Sequence, residues 1–376
     1  MADHTVDWHV RIVDEVGEWE SLQPDWDRLA GSRVFCRFDW MRGWWRSYGF
    51  DRGRPFIVVV TDENGVVRGL APWWRQVSVT SGRLLQFLGS GDVCSDYLSL
   101  LSLPEDEEAV ARAVADWLCR GQGWDALELD GVLQEDAAIS VLLSACRDGG
   151  CSLAQRPAMS CWNLDLPSSW EEYVGRLSKS HRKQVRRVER RLLQTGRFQL
   201  RRARTEQERD RVFAELVRLH QLRWESVGEP GVFASQRFTV FLRKMIETWF
   251  ASGHVHLYEL VENDRTLAAE IHFVQDGISY AYQAGVDPAE RARDVGHAMN
   301  VAVIRYLIEE GMRGLDFLRG DEPYKAHFRA VPRPAAWYRL GAPRIRGKVR
   351  HQAWVTQRAL RCWVKAACGM AGREQG

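Results

Sequence analysis

The sequence predicts a mixed α/β protein of two domains, each with a mixed, largely antiparallel sheet flanked by helices. Three observations carry this. At 376 residues the chain is too long for one ordinary core, and two bodies of about 150–200 residues are expected. Helical periodicities alternate with hairpin-like strand pairs in both halves. The halves also echo each other: helices, an antiparallel hairpin, a helix, then a Leu/Phe strand. Val66-Val67-Arg68-Gly69-Leu70-Ala71 matches Arg265-Thr266-Leu267-Ala268-Ala269-Glu270. The expected divisions are a first domain at 1–165, a second at 166–345 and a basic C-terminal helix or tail at 346–376.

The first half opens with a strand at His9–Val13 and helical patterns at Trp19–Leu29 and Asp39–Tyr48. Pro55–Val60 reads as a buried strand. Asp62-Glu63-Asn64-Gly65 turns it back into Val66–Arg75. Helices follow at Glu105–Arg120 and Ala137–Arg147, with a strand at Ala126–Leu129 between them. Pro157–Pro167 reads as the bridge between halves.

In the second half, Ser168 or Ser169 caps a helix expected to run to about Gln194. A strand at Phe198–Ala203 and long helices at Thr205–Trp224 and Ser235–Ala251 come next. Three strands follow: His254–Val261, Leu267–Val274 and Ile278–Ala284. Beyond the next helix lie a strand at Leu315–Leu318, a short helix at Asp321–Phe328 and a last strand at Ala335–Leu340.

The balance of 52 basic against 50 acidic residues leaves a net charge of +2, which excludes a polyelectrolyte binder as the whole-molecule role. The opening residues Met1–Asp7 carry acid and no apolar stretch, which argues against a signal peptide. No run reaches the roughly 18–20 apolar residues of a membrane span. A cytoplasmic location is expected, with a peripheral place at the inner membrane face open through the basic stretch Arg344–Lys365. The eight cysteines are scattered without a Cys-x-x-Cys pair, so neither a zinc site nor a disulfide framework is expected. His254 and His256 share a strand face but lack a third ligand, so no metal is assigned. Gly89-Ser90-Gly91 lacks the Lys-Ser/Thr of a P-loop, and no Gly-x-Ser-x-Gly elbow occurs.

The main functional signal is Arg293-Asp294-Val295-Gly296-His297-Ala298, an Arg-x-x-Gly-x-Ala turn that opens the apolar helix Val301–Ile308. Such a turn offers backbone N–H groups and the positive end of a helix dipole to a pyrophosphate. Gly296 lets the backbone approach the ligand, Ala298 keeps the next turn small, and Arg293 offers a charged fork. The bland alternative is an ordinary loop entering a helix.

The second half resembles the GNAT acyltransferases, in particular the two-domain CelD/BcsL-like (BioF2-like) acetyltransferase branch related to the Fem peptidyltransferases. Leu177–Arg187 is similar to that branch's basic opening helix, Ala281–Asp287 to its central strand and Gly296–Gly311 to its cofactor helix. Leu315–Gly320 with Tyr324, Lys325 and Phe328 resembles its closing segment. In the first half, Phe38–Trp44 and Ser95–Leu98 look like the family's N-terminal segments. The resemblance implies two tandem GNAT-like domains, the first degenerate. It also implies acyl-CoA as co-substrate in a splayed strand cleft and direct attack by an amine without a covalent enzyme intermediate. The acceptor would be a small-molecule or envelope-related amine. A Fem-type aminoacyl-tRNA ligase and a non-catalytic binding module are the alternatives; nucleic acid enters only with the first of these.

Amine attack needs a base for the nucleophile and an acid for the leaving thiolate. Glu270 and His272 alternate with apolar neighbours and share one strand face, either the cleft or a half-exposed surface. GNAT enzymes often carry a carboxylate there. Tyr280, Tyr282 and Gln283 on the next strand are positioning candidates, with Tyr282 taken as catalytic and Gln283 as substrate-binding; cross-strand packing is the plainer role of the tyrosines. Asp316, Arg319, Asp321, Tyr324 and Lys325 crowd a strand end, where ligands favour α/β sheets. Asp316 is assigned to catalysis, and Arg319, Tyr324 and Lys325 to the acceptor, against a surface salt-bridge cluster. Lys179, Arg182, Lys183, Arg186, Arg187, Arg190 and Arg191 line a broad helical face, read as an anion clamp or as a solvated helix.

Overall fold

The computed structural model describes residues 8–120 and 123–367. The readings of Met1–Asp7, of Cys368 and of the Cys362 and Trp363 side chains lie outside the described residues. In chain order the first elements are β1 (His9–Val13), α1 (Val16–Ser21), α2 (Gln23–Ala30), α3 (Phe38–Trp44), β2 (Arg54–Thr61), β3 (Val67–Ser78), β4 (Gly82–Phe87), β5 (Leu101–Ser102), α4 (Glu107–Arg120), β6 (Ala126–Leu133), α5 (Ala137–Asp148) and β7 (Ser152–Asp165). Then come α6 (Trp170–Arg176), α7 (Lys179–Val188), β8 (Gln199–Arg202), α8 (Glu206–Glu225), α9 (Gln236–Phe250), β9 (Val255–Glu262), β10 (Arg265–Gln275) and β11 (Ile278–Val286). The chain closes with α10 (Val295–Glu309), β12 (Gly314–Arg319), α11 (Tyr324–His327), β13 (Val331–Gly341) and α12 (Ile345–Ala367). No helix among the described residues is long and apolar enough to cross a membrane.

Two compact units result. The first holds residues up to 31, 35–158 and from 335 onward; the second holds 32–34 and 159–334. In the first, β1, β2, β3 and β4 form an antiparallel run, β6 joins β4 in parallel, and β13 closes antiparallel on β6. In the second, β8, β9, β10 and β11 are antiparallel, β12 joins β11 in parallel, and residues 161–165 of β7 close antiparallel on β12. The echo seen in the sequence is therefore the same strand order built twice. Each unit is a mixed, largely antiparallel sheet with helices packed on it.

The observed divisions differ from 1–165, 166–345 and 346–376. The expected bridge Pro157–Pro167 is mostly strand, because β7 runs through Pro157 to Asp165. The last strand, 335–341, pairs with β6 and so belongs to the first unit. Each sheet is completed by hydrogen bonds to a segment distant in sequence, and composition does not mark such pairing. The single helix expected from Ser168 or Ser169 to Gln194 is two helices. Ser169 caps α6, Leu177 turns extended (ψ 154°), and Ser178 caps α7. A π-helical turn, Glu189–Leu193, extends α7.

In the second unit one sheet face meets α6, α7 and α10. Tyr258, Leu260 and Ala268 bury there against Val301, Ile304 and Leu307. The other face meets α8 and α9, where the α9 residue Phe238 stacks with Tyr282. Thr205 and Glu208 start α8 with reciprocal side-chain caps. α8 lies so close to β11 that a Cβ at Gly285 would come 2.7 Å from the His220 nitrogen and 2.8 Å from the Leu216 carbonyl. Only glycine permits that approach.

Candidate active site

β11 and β12 run parallel and paired only from Ile278 to Tyr280, opposite Gly314 to Asp316. Beyond that point β11 continues to Val286 and β12 to Arg319 without further pairing to each other. Ala281, Tyr282, Gln283 and Ala284 are half-buried along this parted edge. β11 leads through a 3₁₀ turn into α10. The turn Arg293–Ala298 thus follows the strand that borders the opening.

Asp294 takes the left-handed conformation (φ 60°) as the N-cap of α10, and its carboxylate caps no amide. The first ladder bond runs from the Ala298 N–H to the Asp294 carbonyl at 3.0 Å. Val295, Gly296 and His297 therefore occupy the first turn, whose amides a helix leaves without ladder partners. An added Cβ at Gly296 would meet only Val286 Cγ2, at 3.8 Å, so neither packing nor backbone conformation demands glycine there. The open space above it suits a ligand's close approach. His297 stacks on Phe328 at 5.2 Å, and among the described residues its buried Nε2 has no hydrogen-bond partner. Burial lowers the His297 pKa, with Arg187, His181 and His327 adding to the effect against Asp294. An open glycine and an unsatisfied imidazole nitrogen both fit an anionic ligand on this corner. Val295 and Ala298 are buried in the core under the turn.

Arg293 has another role. Its guanidinium pairs with Glu262 at 2.6 Å and Glu290 at 2.8 Å and lies over the Phe198 ring. The charged fork is spent on the protein itself. The cation nearest the N-cap comes from the basic helix: Arg187 on α7 stands 3.9 Å from Asp294. α7 divides its charges. Arg182 donates to the carbonyls of Val174, Gly175 and Leu177 at the end of α6. Arg186 pairs with Glu171 and with the buried Glu189. Arg190 donates to the Arg186 carbonyl. Lys179 and Lys183 are exposed, and no described residue hydrogen-bonds or ion-pairs with them. At four-residue steps they form one stripe with Arg187.

Glu270 and His272 come together as the alternation predicts. Glu270 Oε2 meets His272 Nε2 at 3.0 Å, and His272 Nδ1 meets the Ser279 hydroxyl at 2.8 Å. His272 and Ser279 are fully buried, while the Glu270 side chain keeps 11 % exposure. The carboxylate is the one accessible end of the chain. His272 also stacks edge-on against Tyr258, whose hydroxyl reaches His256 Nδ1 at 3.1 Å. Residue type alone does not single out Ser279, although the Asp276-Gly277 turn carries the signal. That turn pairs Val274 with Ser279 and makes His272 its diagonal neighbour.

Tyr282 does not join them. Its ring packs on Phe273 and Phe238, on the α9 side. Phe273 follows His272 in the strand, so Tyr282 lies across the sheet from Glu270. Tyr280 is pushed up to about 12, chiefly by burial, so it stays protonated at neutral pH. Asp316 is buried and accepts the Leu318 N–H at 2.7 Å, bracing a residue of positive φ (56°). Lys325 is buried, and its ammonium serves the carbonyls of Leu318, Arg319 and Gly320 and the Glu322 carboxylate. Its donors hold the turn together, so none faces an acceptor. Arg319 is half-buried at the end of β12, and Gln283 lies on the parted edge. Tyr324 is 41 % exposed as a residue, and burial of its hydroxyl, then Glu322 and Glu270, push its pKa up. Asp321 accepts the Trp162 indole N–H at 3.1 Å.

A family model described as an acetyltransferase (GNAT) domain matches residues 179–326. No curated protein matches the chain. Among solved structures it is similar to FemX, at TM-score 0.59 and 11 % identity over 84 % of this chain and 95 % of that one. A conserved protein of unknown function from Bacteroides thetaiotaomicron gives 0.55 at 9 % identity, over 89 % of this chain and 100 % of that one. A C-terminal domain assigned to a lysylphosphatidylglycerol synthetase of Agrobacterium fabrum gives 0.51 at 11 % identity, over 86 % and 91 %. At such identities these likenesses concern the fold alone. Residues 179–326 of the second unit thus match the acetyltransferase (GNAT) domain model, on a chain whose fold is similar to these structures.

Proposed function

We propose that the second unit transfers an acyl group from acyl-CoA to an amine. The observation that carries this is the parting of β11 from β12 after Tyr280 and Asp316, on the strand that leads to the first turn of α10. An acyl-thioester placed there supplies the activated carbonyl. The amides of Val295, Gly296 and His297 hold the pyrophosphate, and Lys179, Lys183 and Arg187 line the approach of its charge. Glu270 takes the proton of the attacking amine, with His272 and Ser279 holding its carboxylate in one orientation; the new carbon–nitrogen bond replaces the carbon–sulfur bond, and CoA leaves as a thiolate that takes a proton from water. Tyr324 borders the acceptor. A cytoplasmic site of action and a small-molecule or envelope-related amine fit this reading; the CelD/BcsL-like branch is the assignment we favour within the superfamily.

The exposed stripe on α7 also suits a longer polyanion, so an aminoacyl-tRNA donor is the second reading. Calorimetry with acetyl-CoA separates the two. Wild-type protein should bind it. Gly296→Glu, which has room to fold, should lose binding because the carboxylate fills the open space and repels phosphate. Unchanged affinity in the folded variant would refute the assignment. Salt-sensitive retention of charged tRNA on a filter, without acetyl-CoA binding, would favour the ligase.

A further inference from the structure

We infer that the first unit contains a thiolate site for a soft divalent cation of the zinc type, built from Cys119, Cys146 and Cys151. Their sulfurs all lie within 4.8 Å of one another, and Cys119 Sγ and Cys151 Sγ are 3.9 Å apart. A tetrahedral centre with metal–sulfur bonds of about 2.3 Å needs sulfurs about 3.8 Å apart. The trio therefore stands near ligand spacing already, and small side-chain rotations complete it.

The local sequence supports the same conclusion. Cys146-Arg147-Asp148-Gly149-Gly150-Cys151 separates two of the thiols by four residues, within the spacing of zinc-binding loops. The loop is a tight knuckle: the Cys151 N–H donates to the Cys146 carbonyl at 3.0 Å, and the Gly150 N–H to the Arg147 carbonyl at 2.9 Å. A Cβ at Gly149 would come 2.3 Å from Cys119 Sγ, although its φ of −76° allows any residue. The glycine keeps room for the sulfur.

The electrostatics point to a cation. Cys119 lies in the last turn of α4 and Cys146 in the last turn of α5. Two helix C-termini thus converge, and their carbonyl ends repel bare thiolates but favour positive charge. Cys146 and Cys151 are buried, whereas Cys119 is half-exposed and gives an entry path. A water on the open side completes the coordination. Binding forms three metal–sulfur bonds and releases three thiol protons to water.

The test is a Co²⁺ titration of reduced, chelator-stripped full-length protein. One equivalent should give a thiolate-to-cobalt charge-transfer band that Zn²⁺ abolishes. Cys119→Ser and Cys151→Ser should each remove the band, and Cys94→Ser should keep it. On the wild type, Zn²⁺ should also protect three thiols from a thiol reagent, a readout that needs no variant. No band, a band that survives both substitutions, or unchanged thiol reactivity overturns the proposal. So does recovery of a Cys119–Cys151 disulfide from protein kept under reductant.

Discussion

Glu270 and His272 sit two residues apart on one strand, and the carboxylate Oε2 meets the imidazole Nε2 at 3.0 Å. The imidazole has no exposure of its own, and its other nitrogen is held by Ser279. It therefore acts through Glu270. Glu270→Gln should lower kcat/KM for the amine about 10²-fold or more while leaving acyl-CoA affinity unchanged. Ser279→Ala, which releases the imidazole, should lower kcat and leave KM for acyl-CoA alone. An unchanged rate in Glu270→Gln removes this carboxylate from the mechanism.

Arg293 should prove a stability residue. Arg293→Ala removes the cation shared by Glu262 and Glu290, which keep Arg197 and Arg265 respectively, and unfolding in urea should show a loss of about 1 kcal/mol. The acyl-CoA dissociation constant should not move. A large affinity loss at unchanged stability would return this guanidinium to the ligand.

The cations of α7 should separate into two groups. Lys179→Ala with Lys183→Ala should weaken acyl-CoA binding by about 1 kcal/mol or less per charge. It should also flatten the dependence of binding on salt. Arg182→Ala should instead lower the melting temperature, because three carbonyls at the end of α6 lose their donor. Equal effects on binding from all three positions would contradict the division.

His256 sets a pH dependence of stability. Burial holds it down to about 3, with Arg202, His272 and Arg204 adding repulsion, against 6.5 for a free imidazole. The unfolded chain then accepts a proton that the folded protein refuses. The stability is full above pH 6.5 and is lost as pH falls toward 3, at about 1.4 kcal/mol per pH unit for one such group. His256→Gln should reduce the slope of stability against pH by that amount across the window. Urea midpoints at several pH values measure it, and an unchanged slope refutes the claim.

Much of the fold was legible because period and turn chemistry are local. The alternation about Glu270 and His272 placed both on one face, and Arg293–Ala298 marked the start of α10. The acceptor assignments were less legible. Lys325 and Asp316 read as ligands because their types and spacing suit ligands, yet each stabilises its own turn. Tyr282 lies on the far face, and the strand irregularity between Ile271 and His272 leaves no sign in composition. The three thiols, read as scattered, meet where two helices end.

The sequence by itself determined most of the elements, the antiparallel hairpins and the turn that opens α10, because these follow from neighbours a few residues apart. Only the tertiary structure decided that β13 completes the first sheet, that Arg293 is spent on carboxylates, and that β11 and β12 part beyond Tyr280. Those outcomes depend on which distant groups reach hydrogen-bonding distance, and the competition among partners is settled only when the chain has closed on itself.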